Sequence, residues 1–437
     1  MLEILKITGG VRLQGDVTPV PNKNAILAAL PASLLTDETV TYHNIPSTTD
    51  VKKFLEILKL LGSDIDDSDY NNLKINCKNV NSYKVDSTLG NQIRASIMLA
   101  GPLLTRFGIA EIPTPGGCVL GKRSIMAHID SFTKAGVKVE MVDGYARFTA
   151  PVNKKTRYDI WQFEASVTGT ENLFLYAAGI DSEFCITDAA SEPHVSQLLR
   201  VLQNMGAEIE GAGSNKVVIN GSKNLKGFEF YPQPDFVDIG GLVVATAVTK
   251  GKVRILNANI DSVIGGMIQV FEKFNIEIVK DGRDLIVNGE KDLHIDNVNS
   301  GFAMADEDLP KLVPRPWPGF PIDVLPVMVT LASKTKGRLL IQNWMYETGL
   351  DFIRELNALG GNIFVADPQR IIVKGPVKFS GGTITSPGVI QACKALFIAA
   401  LADNVETTII GIDILKRRYP DIFDVYTKLG AKLEKIN

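Results

Sequence analysis

The densest chemistry in the chain lies in residues 114–124, TPGGCVLGKRS. Gly116, Gly117 and Gly121 make this stretch a loop able to move, with Cys118 inside it and Lys122 and Arg123 directly behind. Cations beside a thiol lower its pKa and raise the fraction present as the nucleophilic thiolate. A glycine-rich loop with one reactive group can also act as a lid over a substrate, although the same residues would serve an ordinary turn with an incidental cysteine. Lys23 and Asn24, in PVPNKNAIL, stand where an apolar helix should begin. Free backbone N–H groups and the helix dipole attract anions there. Arg94 opens a matching apolar run, GNQIRASIMLAGPLL, so two equivalent helix starts carrying cations suggest a phosphate-binding face. Asp323, in RPWPGFPIDVLPVM, places a carboxylate between a proline-rich turn and an apolar helix. Capping that helix is the ordinary use of such a residue; acting as a base is the other.

Bulk properties remove several function classes. The net charge of −3 gives no global field for nucleic acid or an anionic membrane. An anionic substrate must then be held by local cations. The N-terminal MLEILKITGG has neither a basic leader nor a continuous apolar stretch, and no run reaches the roughly 20 apolar residues of a membrane span. Cys77, Cys118, Cys185 and Cys393 lie far apart, as do His43, His128, His194 and His294. The expectation is reduced thiols in a cytoplasmic protein, with no metal and no cofactor.

The elements that must position these residues come from an internal repeat. One motif is an amphipathic helix closed by Gly and followed by an alternating strand. Its copies end near Gly62, Gly136, Gly206, Asn275, Gly360 and Gly430, about 70 to 85 residues apart. Apolar residues recur at i, i+3, i+4 and i+7, and Gly or Asn supplies the positive φ of a helix C-cap. Between these copies lie six helices with few charges, for example NKNAILAALPASLL and ACKALFIAALA, which should be buried. The fold class expected is α/β, with two domains of three βαβαββ-like repeats each around buried helices. Proline-rich segments at residues 19–23 and 231–237 mark two crossings. They divide the chain into 1–22 plus 235–437 and an inserted domain 23–234.

Read together, the PGGC-x-x-G-x-R pattern, the N-K-N-A opening and SVTGTEN resemble the enolpyruvyl transferase superfamily, over essentially the full chain. The resemblance is nearest to the enzymes that use UDP-N-acetylglucosamine as acceptor. It implies an inside-out α/β barrel of two domains that close over phosphoenolpyruvate and a UDP-sugar. It also implies residue roles. Lys23 and Arg123 would hold the phosphate of phosphoenolpyruvate, Asn24 and Arg94 would contact the sugar nucleotide, and Met345 would bind substrate. Ser166, Val167 and Thr168 would line the diphosphate at the start of a helix. Cys118 would donate a proton to the enolpyruvyl carbon, Asp323 would be the base at the acceptor hydroxyl, and Arg417 would approach phosphoenolpyruvate on closure.

Three positions depart from the family pattern. Gly349 and Gln391 stand where the family carries the two arginines that clamp the carboxylate of phosphoenolpyruvate, and Met126 replaces an aspartate on the uracil side. Neither Gly nor Gln supplies the lost charge; Lys394, Lys416 and Arg418 are the nearby cations that can substitute. Three readings therefore stand: transfer of enolpyruvyl to UDP-N-acetylglucosamine, transfer to another nucleotide or sugar, or sugar-nucleotide binding without catalysis.

Overall fold

A computed structural model of the chain describes residues 2–113, 124–295, 301–306 and 308–436. Cys118 and Arg123 lie outside the described residues. Among the described residues, twelve α-helices longer than one turn alternate between two kinds: α1 (Lys23–Ala29), α2 (Thr49–Leu60), α3 (Ala100–Phe107), α4 (Met126–Lys134), α5 (Val167–Ala178), α6 (Pro193–Met205), α7 (Phe236–Val248), α8 (Asp261–Glu272), α9 (Leu325–Lys334), α10 (Ile353–Ala358), α11 (Ile390–Ala402) and α12 (Ile422–Lys428). The odd-numbered helices are the apolar set. Every residue of α7 is buried, and α11 is buried from Ala392 to Leu401. The even-numbered helices are amphipathic. In α2, Val51, Phe54, Leu55 and Leu58 face inward while Lys52, Glu56 and Lys59 do not. Burying such side chains, at roughly 1.5–3 kcal/mol each, is what fixes the outer helices to the core.

The six amphipathic helices end as the repeat requires. Gly62, Gly136, Gly206, Asn275, Gly360 and Gly430 all have positive φ. This is the conformation in which a backbone turns back from a helix at least cost when the Cβ is missing.

Three of the apolar helices join two strands that pair in parallel, and the amphipathic helices α2, α4, α6, α8 and α10 lead into antiparallel hairpins, while α12 leads into Lys432–Ile436, which pairs antiparallel with Ile4–Thr8. Arg157–Trp161 and Glu183–Thr187 flank α5, Leu309–Leu312 and Gly337–Gln342 flank α9, and Gly382–Thr385 and Glu406–Ile410 flank α11. Around α3 the parallel pairing shrinks to a single bridge, Lys84 with Glu111. The remaining two pairs exchange strands at the chain crossings. Gln14–Val17 pairs in parallel with Lys252–Ile255 after α7, and Glu229–Phe230 pairs with Val40–His43 after α1. Six sheets of three to five strands result, all open among the described residues.

Two compact units follow from this exchange. The described residues up to Val20 join those from Pro234 onward in a terminal unit, and the described residues between Pro21 and Gln233 form an inserted unit. Each has its own apolar core. In the terminal unit α7, α9 and α11 pack on one another, and in the inserted unit α5 packs on α1 and α3. Among the described residues no helix is long and apolar enough to cross a membrane, and no cluster of ligating side chains could hold a metal ion.

Candidate functional site

In the inserted unit, Lys23 is the first residue of α1 but not its cap. Asn22 is the cap, its side-chain oxygen accepting from the N–H groups of Asn24 and Ala25 at 3.0 and 3.2 Å. What this helix start offers an anion is therefore the Lys23 ammonium, which donates at 2.6 Å to Asp50 of α2. Both side chains are about nine-tenths buried, so the pair is a fixed one. Asn24 beside it is half-buried. Arg94 opens a short 3-10 segment, Arg94–Leu99, that runs directly into α3.

Ser166 caps α5 through its hydroxyl, which accepts from the Gly169 N–H at 3.3 Å. Ser166, Val167 and Thr168 are half-buried at that helix start. Thr168 is held by a residue to which the sequence reading gave no role. His128, buried in α4, has Nε2 3.1 Å from Thr168 Oγ1 and Nδ1 3.1 Å from the Asn172 side-chain nitrogen. The Asn172 amide cannot be reversed, because its oxygen accepts from Gly101 N–H and its nitrogen donates to Ile97 C=O. Its nitrogen thus donates to His128 Nδ1, which leaves the proton of the neutral ring on Nε2. His128 donates to Thr168, and the Thr168 hydroxyl proton remains available to an anion. A lone histidine carries no sequence signal of this kind.

The ring is kept neutral by its surroundings. Burial, with the Arg94 charge as a second cause, pushes His128 down from 6.5 to about 3. In α5, burial and then the Glu192 carboxylate push Glu171 well above its ordinary 4.5; His194 Nε2 lies 3.9 Å from it. The two groups act on stability with opposite signs. A depressed histidine contributes stability that is present above 6.5 and lost as pH falls. A raised glutamate contributes stability that is present below 4.5 and lost as pH rises. Between 6.5 and 4.5, while the folded Glu171 stays protonated, the slopes oppose at about 1.4 kcal/mol per pH unit each. Glu171→Gln should therefore unmask a loss of stability on acidification from pH 6.5 to 4.5, measurable by urea unfolding. Equal slopes in variant and parent would show that Glu171 does not oppose His128, and a flat profile in the variant would show that His128 does not titrate this way.

In the terminal unit, Asp323 lies in a 3-10 turn, Ile322–Val324, that leads into α9. It does not cap α9. Its side chain is 31% exposed, and its carboxylate sits 3.7 Å from Nη1 of Arg418. Arg418 is buried and donates twice to Asp235, at 2.6 and 2.8 Å. Asp235 is itself the cap of α7, accepting from Val237 N–H at 3.0 Å. Beside this pair, Lys394 of α11 donates to Asp238 of α7 at 2.6 Å. Its ammonium also lies 3.9 Å over the Tyr419 ring. Of the three cations that could substitute for the missing arginines, Arg418 reaches Asp323, Lys394 pairs with Asp238 and Lys416 pairs with Glu3. Arg417 is half-buried at the end of the turn Ile412–Arg417, and Met345 is half-buried in the segment after Gly337–Gln342.

A cavity of about 90 Å³ opens beside Asp323, lined in part by Asn343, Thr348, Gly349, Asp351 and Gln391. The two positions where the family pattern has arginines thus do meet in one place, but among the described residues no Lys or Arg lines it. The structure also shows why Gly349 is Gly. A Cβ there would overlap the side-chain amide of Asn343, a buried residue whose oxygen accepts from Tyr346 N–H at 3.1 Å. Gly349→Ala should cost about 1–3 kcal/mol, as overpacking does. Thermal melts should show most of that cost absent in an Asn343→Ala background; a cost equal in both backgrounds would place the strain elsewhere.

Comparison with known proteins is consistent over the whole chain. Residues 7–426 match the family described as EPSP synthase (3-phosphoshikimate 1-carboxyvinyltransferase). A protein of Bradyrhizobium diazoefficiens named UDP-N-acetylglucosamine 1-carboxyvinyltransferase is 35% identical over 430 residues, covering 98% of this chain and 97% of its own. One of the same name from Borreliella burgdorferi is 35% identical over 431 residues, covering 98% of each. Among solved structures, the enolpyruvyl transferase NikO from Streptomyces tendae superposes with a TM-score of 0.86 at 21% identity over 99% of both chains. An EPSP synthase from Acinetobacter baumannii superposes at 0.76 and 16% identity over 100% of both, so the fold is shared with each.

Proposed function

The chain belongs to the EPSP synthase family of enolpyruvyl transferases, and from that premise we propose that it transfers the enolpyruvyl group of phosphoenolpyruvate to the 3-hydroxyl of UDP-N-acetylglucosamine. This is the committed step of peptidoglycan precursor synthesis and would place the protein in the cytoplasm. The acceptor oxygen adds to C2 of phosphoenolpyruvate while a base takes the hydroxyl proton and an acid protonates the methylene carbon. Loss of phosphate and of one methyl proton then restores the double bond as an enol ether. Asp323 is the base and Cys118 the acid, with no cofactor required. Lys23 and Arg123 hold the phosphate, Asn24 and Arg94 contact the sugar nucleotide, and Met345 binds substrate. Ser166, Val167 and Thr168 meet its diphosphate, with the Thr168 hydroxyl proton freed for that purpose by His128. Arg417 meets phosphoenolpyruvate.

The observation that carries this reading is Asp323. It is a partly exposed carboxylate at a cavity wall, while Asp235 and Asp238 beside it are buried against Arg418 and Lys394. Purified protein given phosphoenolpyruvate and UDP-N-acetylglucosamine should release inorganic phosphate in proportion to enol ether formed. Absence of phosphate release would overturn the reading. The uncharged lining at Gly349 and Gln391 favours a second one, another nucleotide or sugar as acceptor. A screen of acceptor hydroxyls decides between them, and nucleotide binding without any turnover would mark a non-catalytic homologue.

A further inference from the structure

Asp323 shares its only cationic contact among the ion pairs above with a second carboxylate, and the sharing is unequal. Arg418 spends Nε and Nη2 on Asp235 at 2.6 and 2.8 Å, and the remaining Nη1 stands 3.7 Å from Asp323. Asp235 is fully buried and anchored through its backbone, its N–H donating to Val20 C=O at 2.8 Å. The guanidinium therefore cannot turn from Asp235 toward Asp323. We propose that Arg418 is a positioning residue for Asp323, and that Asp235, by holding Arg418, sets how much of its charge Asp323 receives. The proposal rests on Asp323 being the base.

The charges around Asp323 support this division. From the start of α7 come Asp235 and Asp238, from α11 Lys394 and the neutral Gln391, and from the chain after the turn Ile412–Arg417 come Arg418 and Tyr419. Asp351 lines the same cavity. Lys394 is matched by Asp238 and Arg418 by Asp235, so the charge in excess is that of Asp323. A carboxylate clamped by two short guanidinium bonds has its pKa lowered and both oxygens occupied, which makes a poor base. A single long contact leaves the Asp323 oxygens accessible while the edge of the guanidinium stands beside them. Lysine would not reproduce the arrangement, because a point charge cannot form a fork on Asp235 and still present an edge to Asp323.

The pH dependence of kcat/KM tests the proposal on the full-length protein, with phosphoenolpyruvate and UDP-N-acetylglucosamine as substrates. Asp235→Asn still caps α7 but releases Arg418, so the acid limb should move down by about one pH unit. Arg418→Gln should move it up by about one unit, the scale on which a neighbouring opposite charge shifts a carboxylate. Because Arg418→Gln alone leaves Asp235 buried without its partner, the double variant Asp235→Asn/Arg418→Gln serves as the second arm, with the same upward shift expected. A merely structural Arg418 would change the rate or the melting temperature but leave the limb in place. Unshifted limbs in Asp235→Asn and in the double variant, with Asp323→Asn inactive, would overturn the proposal alone. Full activity in Asp323→Asn would instead overturn the reading of Asp323 as base.

Discussion

Asp323→Asn is expected to lower kcat/KM by about 10²–10⁴-fold, the usual contribution of a positioned general base, while leaving the fold intact. Asparagine matches the shape of the side chain and removes only its ability to take a proton. The structural cost should be small because Asp323 is partly exposed and its contact with Arg418 is long. Arg418 keeps both of its bonds to Asp235. The loss should appear in kcat and in kcat/KM together, since the proton is transferred in the transition state and ground-state binding of the acceptor is little changed. Steady-state phosphate release, read beside a thermal melt, separates the two effects. A variant within tenfold of the parent would assign the base elsewhere, and one that melts much earlier would show a structural Asp323.

The residues that carry this argument differ in how far the sequence revealed them. The amphipathic helices and their ends were legible because the cause is local: apolar spacing sets the buried face, and Gly62, Gly136, Gly206, Gly360 and Gly430 sit where φ must be positive. Asn275 follows the same rule at φ 65°. The apolar helices were legible because a helix with few charges has nowhere to go but inside. Asp323 was legible as a chemical group but not in its local role, since the turn Ile322–Val324 intervenes before α9. The start of α1 at Lys23 was legible, but its cap was not: the side chain of Asn22 takes the amides of Asn24 and Ala25, which the sequence left as free N–H groups. The buried ion pairs were the least legible. Arg418 meets Asp235 across 183 residues and Lys394 meets Asp238 across 156. In the run Lys416, Arg417, Arg418 nothing local says which cation turns inward.

Lys394→Met is expected to destabilise the terminal unit by about 3–5 kcal/mol, the cost of leaving a buried charge without its partner. Lys394 is fully buried in α11, and its stem lies so close against Gly241 of α7 that a Cβ at 241 would overlap it. Burial outweighs the attraction of Asp238 and leaves the ammonium easier to deprotonate than an exposed lysine. The pair is thus a costly one that persists only because each charge answers the other. Methionine fills nearly the same volume, so the loss would be electrostatic and not one of packing. What remains to Asp238 is the Val20 N–H at 3.0 Å. Asp238→Asn keeps an oxygen for that N–H and removes the charge, so Lys394→Met/Asp238→Asn should recover most of the stability lost in the single variant. At about 2–4 °C per kcal/mol for a unit of this size, the single change should lower the melting temperature by roughly 10 °C, and the double should return most of it. Additive losses in the double-mutant cycle would show that the two side chains are not coupled. They would also remove the argument that Lys394 is committed to Asp238 and leaves Arg418 as the cation of Asp323.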